Sequence, residues 1–404
     1  MQISIDASRR DISPAVDWVS GLIGSLVDKR VSGFTAQEHK NPLLTAHFQE
    51  NFALEFALAR ARKYNKSTGR LPKGPEFDRL YGFLIPAHRI HGALPAATRV
   101  PFEGRLRDAV NGMHGARPFA YEIAIATHLM QKGWDVDFVD YAGLAQFDLL
   151  ARKGPVEVEV ECKTTSHDTG RKAHRQEVNR LCDLVLPTTQ QLADEAGCHF
   201  VKVVLSNRLE KSELRLSQIA DQIREAIARK ATWADDDVRV DYFHEHLQSW
   251  PDPTQDPAAR DFFEAKLGVR NSNILFHGRP GHAVVALSVS SAKPDSVIDA
   301  MADEAKAAAK QCSGTRPALV ALNLVDGASR PELETLLKTP NGLHAITHAV
   351  FKNETRLHVD SVAFTIPQTV QEYDLGATRL SGQVVVLNNP SPKFICEEIR
   401  TIFR

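Results

Sequence analysis

The stretch Val156–Lys163 reads VEVEVECK, and this unbroken alternation is the strongest constraint on how the chain can fold. Successive side chains of a β-strand point to opposite faces. Val156, Val158, Val160 and Cys162 therefore share one face, and Glu157, Glu159, Glu161 and Lys163 share the other. The preceding segment, QFDLLARK, is also strand-like, and Gly154-Pro155 between the two reads as a hairpin. A hairpin brings the Asp148 carboxylate toward that of Glu161, with Lys163 beside Glu161 on the same face. Two carboxylates so placed can hold one Mg²⁺, which prefers oxygen ligands and keeps several waters. A lysine next to them can orient or help deprotonate a bound water, or neutralise charge as a phosphodiester is attacked.

The elements around the hairpin have a definite order. Pro118 suits the first turn of a helix, and PFAYEIAIATHLMQKG stops at Gly133. On that helix Phe119, Ile123, Ala126 and Met130 form an apolar stripe. Glu122 lies directly beside it, in line with Ile125 and Leu129, where a carboxylate needs a partner. WDVDFVDY follows as a first strand. After the hairpin come a helix over about 171–196 and the strand CHFVKVVLS, giving helix, three strands, helix, strand. A further helix (about 214–230) and VRVDYF extend the same sheet in this reading.

The D…ExK spacing alone is close to chance, and taken by itself VEVEVECK is better explained as an amphipathic edge strand with solvated glutamates. The ordered context changes the balance. Residues 119–206 resemble the PD-(D/E)XK nuclease superfamily, whose restriction-endonuclease-like fold has an αβββαβ core. The matching residues are Glu122 in the first helix, Phe147-Asp148 for the "PD" element and Glu161-Cys162-Lys163 for "ExK", with Phe147 standing where the motif has proline.

The resemblance implies a metal-dependent nuclease hydrolysing nucleic-acid phosphodiester bonds, with DNA favoured over RNA and Mg²⁺ (or Mn²⁺) as cofactor. Asp148 and Glu161, with the backbone carbonyl of Cys162, would bind the metal. Lys163 would position the attacking water, and Glu122 would support a metal or its water shell. Hydroxyls at Thr164, Thr165 and Ser166 would contact phosphate. Arg171, Lys172 and Arg175 would grip the nucleic-acid backbone from the next helix, positioning it without reading sequence. One such site per chain calls for a homodimer, or two successive events, to cut both strands. Glu159 is ambiguous: a spare ligand, or a carboxylate paired with a base.

Composition bounds the rest. A chain of 404 residues exceeds a comfortable single core. The expected domains are a helical N-terminal region (1–105), a nuclease-like domain (106–245) and a C-terminal α/β unit (255–404). The last follows a Pro/Asp-rich boundary near residue 250, WPDPTQDPAARD. Within the first region, Leu43–Tyr64 reads as one long amphipathic helix, ended by the loop NKSTGRLPKGP, and FDRLYGFLIP is a shorter apolar segment.

The net charge is −1, so any phosphate-binding surface must be local. Residues 163–180 stand out as a basic stretch, with Lys163, Arg171, Lys172, Arg175 and Arg180 against Asp168 and Glu177. Five scattered cysteines without a CxxC pair favour reduced thiols in a cytoplasm, and the first residues contain no apolar h-region. No run of 18 apolar residues is present, so no membrane span is expected. No GxxxxGK[ST] loop is found either, which argues against an ATPase motor.

Two weaker signals are the His244-Glu245-His246 cluster, read as helical, and the loop His277–His282, read as a hairpin. Gln311–Thr315 reads as a helix stop. NILFHGRPGHAVVALSVSS, its helix and PALVALNLV repeat the layout of FDLLARKGPVEVEVECKTTS, its helix and HFVKVVLS. If Gly154 is laid on Gly281, then Asp148, Glu161 and Lys163 fall on Leu275, Ser288 and Ser290. This suggests a degenerate copy without a metal site. Two competing functions stay open: the same fold as an inactive module binding nucleic acid or a protein, and an unrelated enzyme acting on a small phosphorylated or nucleotide substrate.

Overall fold

Gly154 takes the left-handed conformation (φ 58°) that a two-residue hairpin turn requires. Around it, in a computed structural model, β2 (Leu149–Lys153) and β3 (Val156–Thr164) pair antiparallel, with Lys153 opposite Val156 and Leu149 opposite Val160. The structure describes residues 1–4, 8–166, 168–246, 257–269, 273–279, 281–324, 336, 338–339, 342–366 and 383–403. Most of the WPDPTQDPAARD stretch lies outside them.

The chain is mixed α/β and divides into two compact units. Unit 1 comprises 1–32, 51–166 and 298–404; unit 2 comprises 33–50 and 167–297. The expected division at about 105 and 250 is therefore corrected. Most of the N-terminal helical residues, the hairpin and the C-terminal residues share one unit, and unit 2 takes residues 33–50 and the segment that follows β3. The reason is packing. One apolar core joins Val19 and Ile23 of α1 (Arg9–Lys40), Leu84 of α4 (Pro75–Ala93) and Phe102 of α5 (Ala96–Asn111). The same core takes in Ile123 of α6 (Arg117–Gln131) and Val158 and Val160 of β3, and it reaches Ile399 near the C-terminus.

The stretch from Leu43 to Tyr64 is not one helix. It forms a 3-10 turn (Pro42–Leu44), α2 (Thr45–Asn51) and α3 (Ala53–Thr68), broken at Phe52, whose ψ of 33° departs from helical geometry. The division between the units falls in this break region.

Unit 1 holds a six-stranded sheet. Its order is β1 (Asp135–Phe138), β2, β3, β9 (Ala318–Asn323), β10 (Val359–Ile366) and β11 (Gln383–Asn388). The first three strands are antiparallel, while β3 and β9 run parallel, with Glu161 beside Val320 and Lys163 beside Leu322. Helix α10 (Val297–Gln311) precedes β9.

Unit 2 holds a five-stranded sheet ordered β5 (Trp233–Ala234), β6 (Val238–Glu245), β4 (Gly197–Leu205), β8 (Ala283–Ser291) and β7 (Asn273–Arg279). Helices α7 (Arg175–Leu192) and α8 (Glu213–Arg229) pack against it. The expectation that CHFVKVVLS and VRVDYF extend the sheet of VEVEVECK is thus corrected. They form β4 and β6 of the other sheet, and the place beside β3 belongs to β9.

Because β3 has neighbours on both sides, it is not an edge strand. Its central residues are buried on both faces, glutamates included. Among the described residues no helix is long and apolar enough to cross a membrane.

Candidate active site

Continuing the hairpin register one step past Leu149 and Val160 sets Asp148 opposite Glu161. The side chains then lock to the backbone. The Asp148 amide donates to Glu161 Oε2 at 3.2 Å, and the Cys162 amide donates to Asp148 Oδ2 at 2.7 Å. Lys163 Nζ forms an ion pair with Glu161 Oε1. Glu161 is fully buried and Asp148 is 7% exposed, whereas the Lys163 side chain keeps 32% of its surface. The lysine is thus the member of the set that a solvent-borne molecule can reach.

A second group of charges comes from α5, α6 and the turn after β1. Glu122 accepts a hydrogen bond from the Tyr141 hydroxyl at 3.0 Å. Arg105 lies 3.8 Å from Glu122 and 3.0 Å from Asp140. An aromatic cluster fixes this geometry. Phe102, fully buried, meets Phe119 and Tyr141 edge-on at 5.2 and 5.7 Å, and Phe138 stacks on Tyr141 at 5.3 Å. Asp140 Oδ1 is buried without a hydrogen-bond partner among the described residues.

Four carboxylates thus share a site with two cations. Burial lifts the Asp140 carboxyl to about 6; Arg105 opposes the shift and the Asp148 charge adds to it. Glu122 and Glu161 are raised first by burial and then by the Asp148 charge, against Arg105 and Lys163 respectively. Burial also raises Asp148, against the Cys162 amide, Lys163 and Arg105. Such a set is stabilised by added positive charge or by uptake of protons.

The donor chemistry suits a hard divalent cation: oxygen atoms only, an excess of buried negative charge, and one orphaned carboxylate oxygen. Among the described residues, however, no three His, Cys, Asp or Glu side chains are grouped as a ready metal site. The oxygens of Asp148 and Glu161 are turned instead to backbone amides and to Lys163.

A pH dependence follows. Each of these acids has a folded-state pKa above its unfolded value. Its contribution to stability is complete below the ordinary carboxylate pKa of roughly 4 and is lost as pH rises through the raised value. Without divalent metal, the melting temperature should fall between about pH 5 and pH 8. Glu122→Gln should raise it at the upper end and flatten the dependence. Thermal melts of both proteins across that range check this, and superimposable profiles would contradict it.

Glu159 is not a spare ligand. It is fully buried, accepts from the Ser313 amide at 2.7 Å and from its hydroxyl, and pairs with Arg316 at 3.2 Å. Arg316 also pairs with Glu157, which in turn holds Arg152. Glu157 and Glu159, the first two glutamates of VEVEVECK, are thus structural, and only Glu161 faces Asp148.

Thr165, expected to contact phosphate, is buried instead, and its hydroxyl donates to the Asn323 carbonyl at 3.1 Å, stitching the end of β3 to β9. Arg171, Lys172 and Arg175 belong to unit 2, whereas the acids belong to unit 1. The Lys172 amide donates to Asp295 and its ammonium to Ser296, and the Arg175 amide donates to Asp168.

His244 lies in strand β6, not in a helix, and its ring packs edge-on against His246 at 4.3 Å and stacks on His199 at 4.4 Å. His282 lies in the turn of the β7–β8 hairpin, and Gln311 ends α10, as the sequence suggests.

Arg105, Asp140 and Tyr141 escaped the sequence reading. Asp140 and Tyr141 close the WDVDFVDY segment, but the strand stops at Phe138, and the following turn brings Asp140 to Arg105. Nothing local in the sequence marks Arg105, which comes from a separate helix.

No protein-family model, curated protein or solved structure matches the chain.

Proposed function

We propose that the chain is a metal-dependent nuclease of the PD-(D/E)XK type, hydrolysing phosphodiester bonds, with DNA as the favoured substrate. The observation that carries this reading is the closed set formed by Asp148, Glu161 and Lys163 at the open end of the β2–β3 hairpin. The element order also supports it. Helix α6, strands β1, β2 and β3, helix α10 and strand β9 reproduce αβββαβ, with β9 parallel to β3 and unit 2 inserted ahead of α10.

Asp148 and Glu161, joined by the Cys162 carbonyl, would hold Mg²⁺ or Mn²⁺. When bound, the ion would polarise a phosphoryl oxygen and lower the pKa of a water. The chain's own groups account for the remainder. Lys163, half-exposed and held by Glu161, orients the water that attacks phosphorus and neutralises charge gathering on the phosphate. The P–O ester bond breaks as the water's oxygen bonds to phosphorus, and the departing oxygen takes up a proton. Glu122, fixed by Tyr141 and Arg105, would support the ion's water shell.

A second reading, a nuclease-fold module that binds nucleic acid without cutting, is favoured by one observation: the absence of a ready three-residue metal group among the described residues. Cleavage assays separate the two. The nuclease reading expects plasmid or linear DNA to be cut with Mg²⁺ or Mn²⁺ and cutting to stop with EDTA. Binding without cleavage under every metal tested would favour the module, and RNA run in parallel tests the substrate preference.

A further inference from the structure

The chain carries one succession of elements twice: hairpin, helix, strand, first as β2–β3, α7, β4 and then as β7–β8, α10, β9. The final strands are exchanged. The strand of the first set pairs with the hairpin of the second, and the strand of the second pairs with the hairpin of the first.

The exchange is in register. Residues Glu159 to Thr164 lie beside Ala318 to Asn323, and Ala286 to Ser291 lie beside Phe200 to Leu205, position for position. Even the hydrogen bond closing each pair recurs. The Thr165 amide donates to the Asn323 carbonyl at 2.9 Å, and the Ala292 amide donates to the Leu205 carbonyl at 2.7 Å. Two unrelated α/β units have no reason to share this register.

The register also says what the second copy contains. Leu149 opposite Val160 corresponds to Leu275 opposite Leu287, so Glu161 maps to Ser288 and Lys163 to Ser290. Asp148 maps to Ile274, which pairs with Ser288, and not to Leu275 as gapless alignment on Gly281 suggests. The β7–β8 turn is one residue longer, running from Arg279 to Ala283 where the first runs from Lys153 to Val156. Ile274 is buried. Ser288 is fully buried, and its hydroxyl has no hydrogen-bond partner among the described residues. A polar group thus persists where Glu161 stands in unit 1, but Ile274 and Ser290 replace Asp148 and Lys163, so the mapped positions hold no carboxylate for a metal; the cation beside Ser288 is Lys202 of β4.

We infer that unit 2 is a catalytically silent copy of the acid-bearing unit, so that one chain cuts one strand of duplex DNA and leaves a nick. This rests on the nuclease reading and goes beyond it by specifying the product. In each event one water adds across one P–O bond, producing one free hydroxyl and one phosphate end, and the complementary strand stays whole.

The test is a time course on supercoiled plasmid with Mn²⁺. The expected result is accumulation of open circles at a rate first-order in protein, with linear DNA appearing only late, after independent second nicks. Ser288→Ala and Ser290→Ala should cut at the wild-type rate. Linear DNA formed as fast as supercoiled DNA is lost would overturn the single-strand inference while leaving the nuclease reading intact. A Ser288→Ala or Ser290→Ala chain that stays folded by circular dichroism but loses tenfold or more in rate would overturn the silence of unit 2. No cutting with any metal would overturn both.

Discussion

Replacing Lys163 by alanine should lower the DNA cleavage rate by roughly two to three orders of magnitude, the usual effect of removing one charge-stabilising group from an active site. Asp148→Asn should do the same. The two substitutions act differently. Lys163 is partly exposed and ion-paired with Glu161, so its loss removes the cation that faces the substrate. Asp148→Asn keeps the shape and an acceptor for the Cys162 amide but removes the negative charge that a metal needs. Neither change should unfold the chain. Asp148→Asn removes the charge that repels Glu122, Asp140 and Glu161, and should raise the metal-free melting temperature at about pH 8. Gel-based cleavage rates paired with thermal melts read both effects. Variants that cut as fast as wild type would show the site to be misassigned.

The largest stability loss is expected far from the acids, on Arg400→Ala. Asp360 on β10 is fully buried, and the Arg400 guanidinium holds it with contacts of 2.8 to 3.1 Å while also donating to the Asn389 carbonyl. Removing the arginine strands a buried carboxylate, which costs about 3–5 kcal/mol. In a unit of this size that corresponds to a fall of about 10 °C in melting temperature. Arg400→Lys should recover only part of it, because an ammonium cannot make the forked contact. The consequence reaches the site through the sheet, since β10 flanks β9 and β9 flanks β3. Calorimetry on the full chain measures the shift, and a change below about 2 °C would mean that Asp360 finds another partner.

Much of the candidate site was legible because it is local. Alternation over Val156–Lys163, a glycine able to adopt positive φ at 154, and Glu122 beside an apolar stripe specify a hairpin and a facing helix from short-range patterns alone. The partner of β3 was not legible. Parallel pairing joins residues far apart in sequence, and HFVKVVL and ALVALN are both apolar segments suited to a central strand. Only the packed whole selects ALVALN, and with it the exchange between the two sets of elements. Once β9 covers the open side of β3, Glu159 must be buried, and Ser313 and Arg316 supply the partners that a solvated edge would not need. Asp140 was hidden for a related reason. Its direction depends on where β1 stops and how the next turn runs, and alternation carries no such information.

The most direct measurement of the central claim is calorimetric titration of Mn²⁺ into the purified chain near neutral pH, compared with Asp148→Asn and Glu161→Gln. Saturable binding by wild type, accompanied by proton release from the raised carboxylates and weakened at least tenfold in either variant, is the result the account predicts. Equal affinity in all three proteins, or no binding by wild type with or without DNA present, would contradict it.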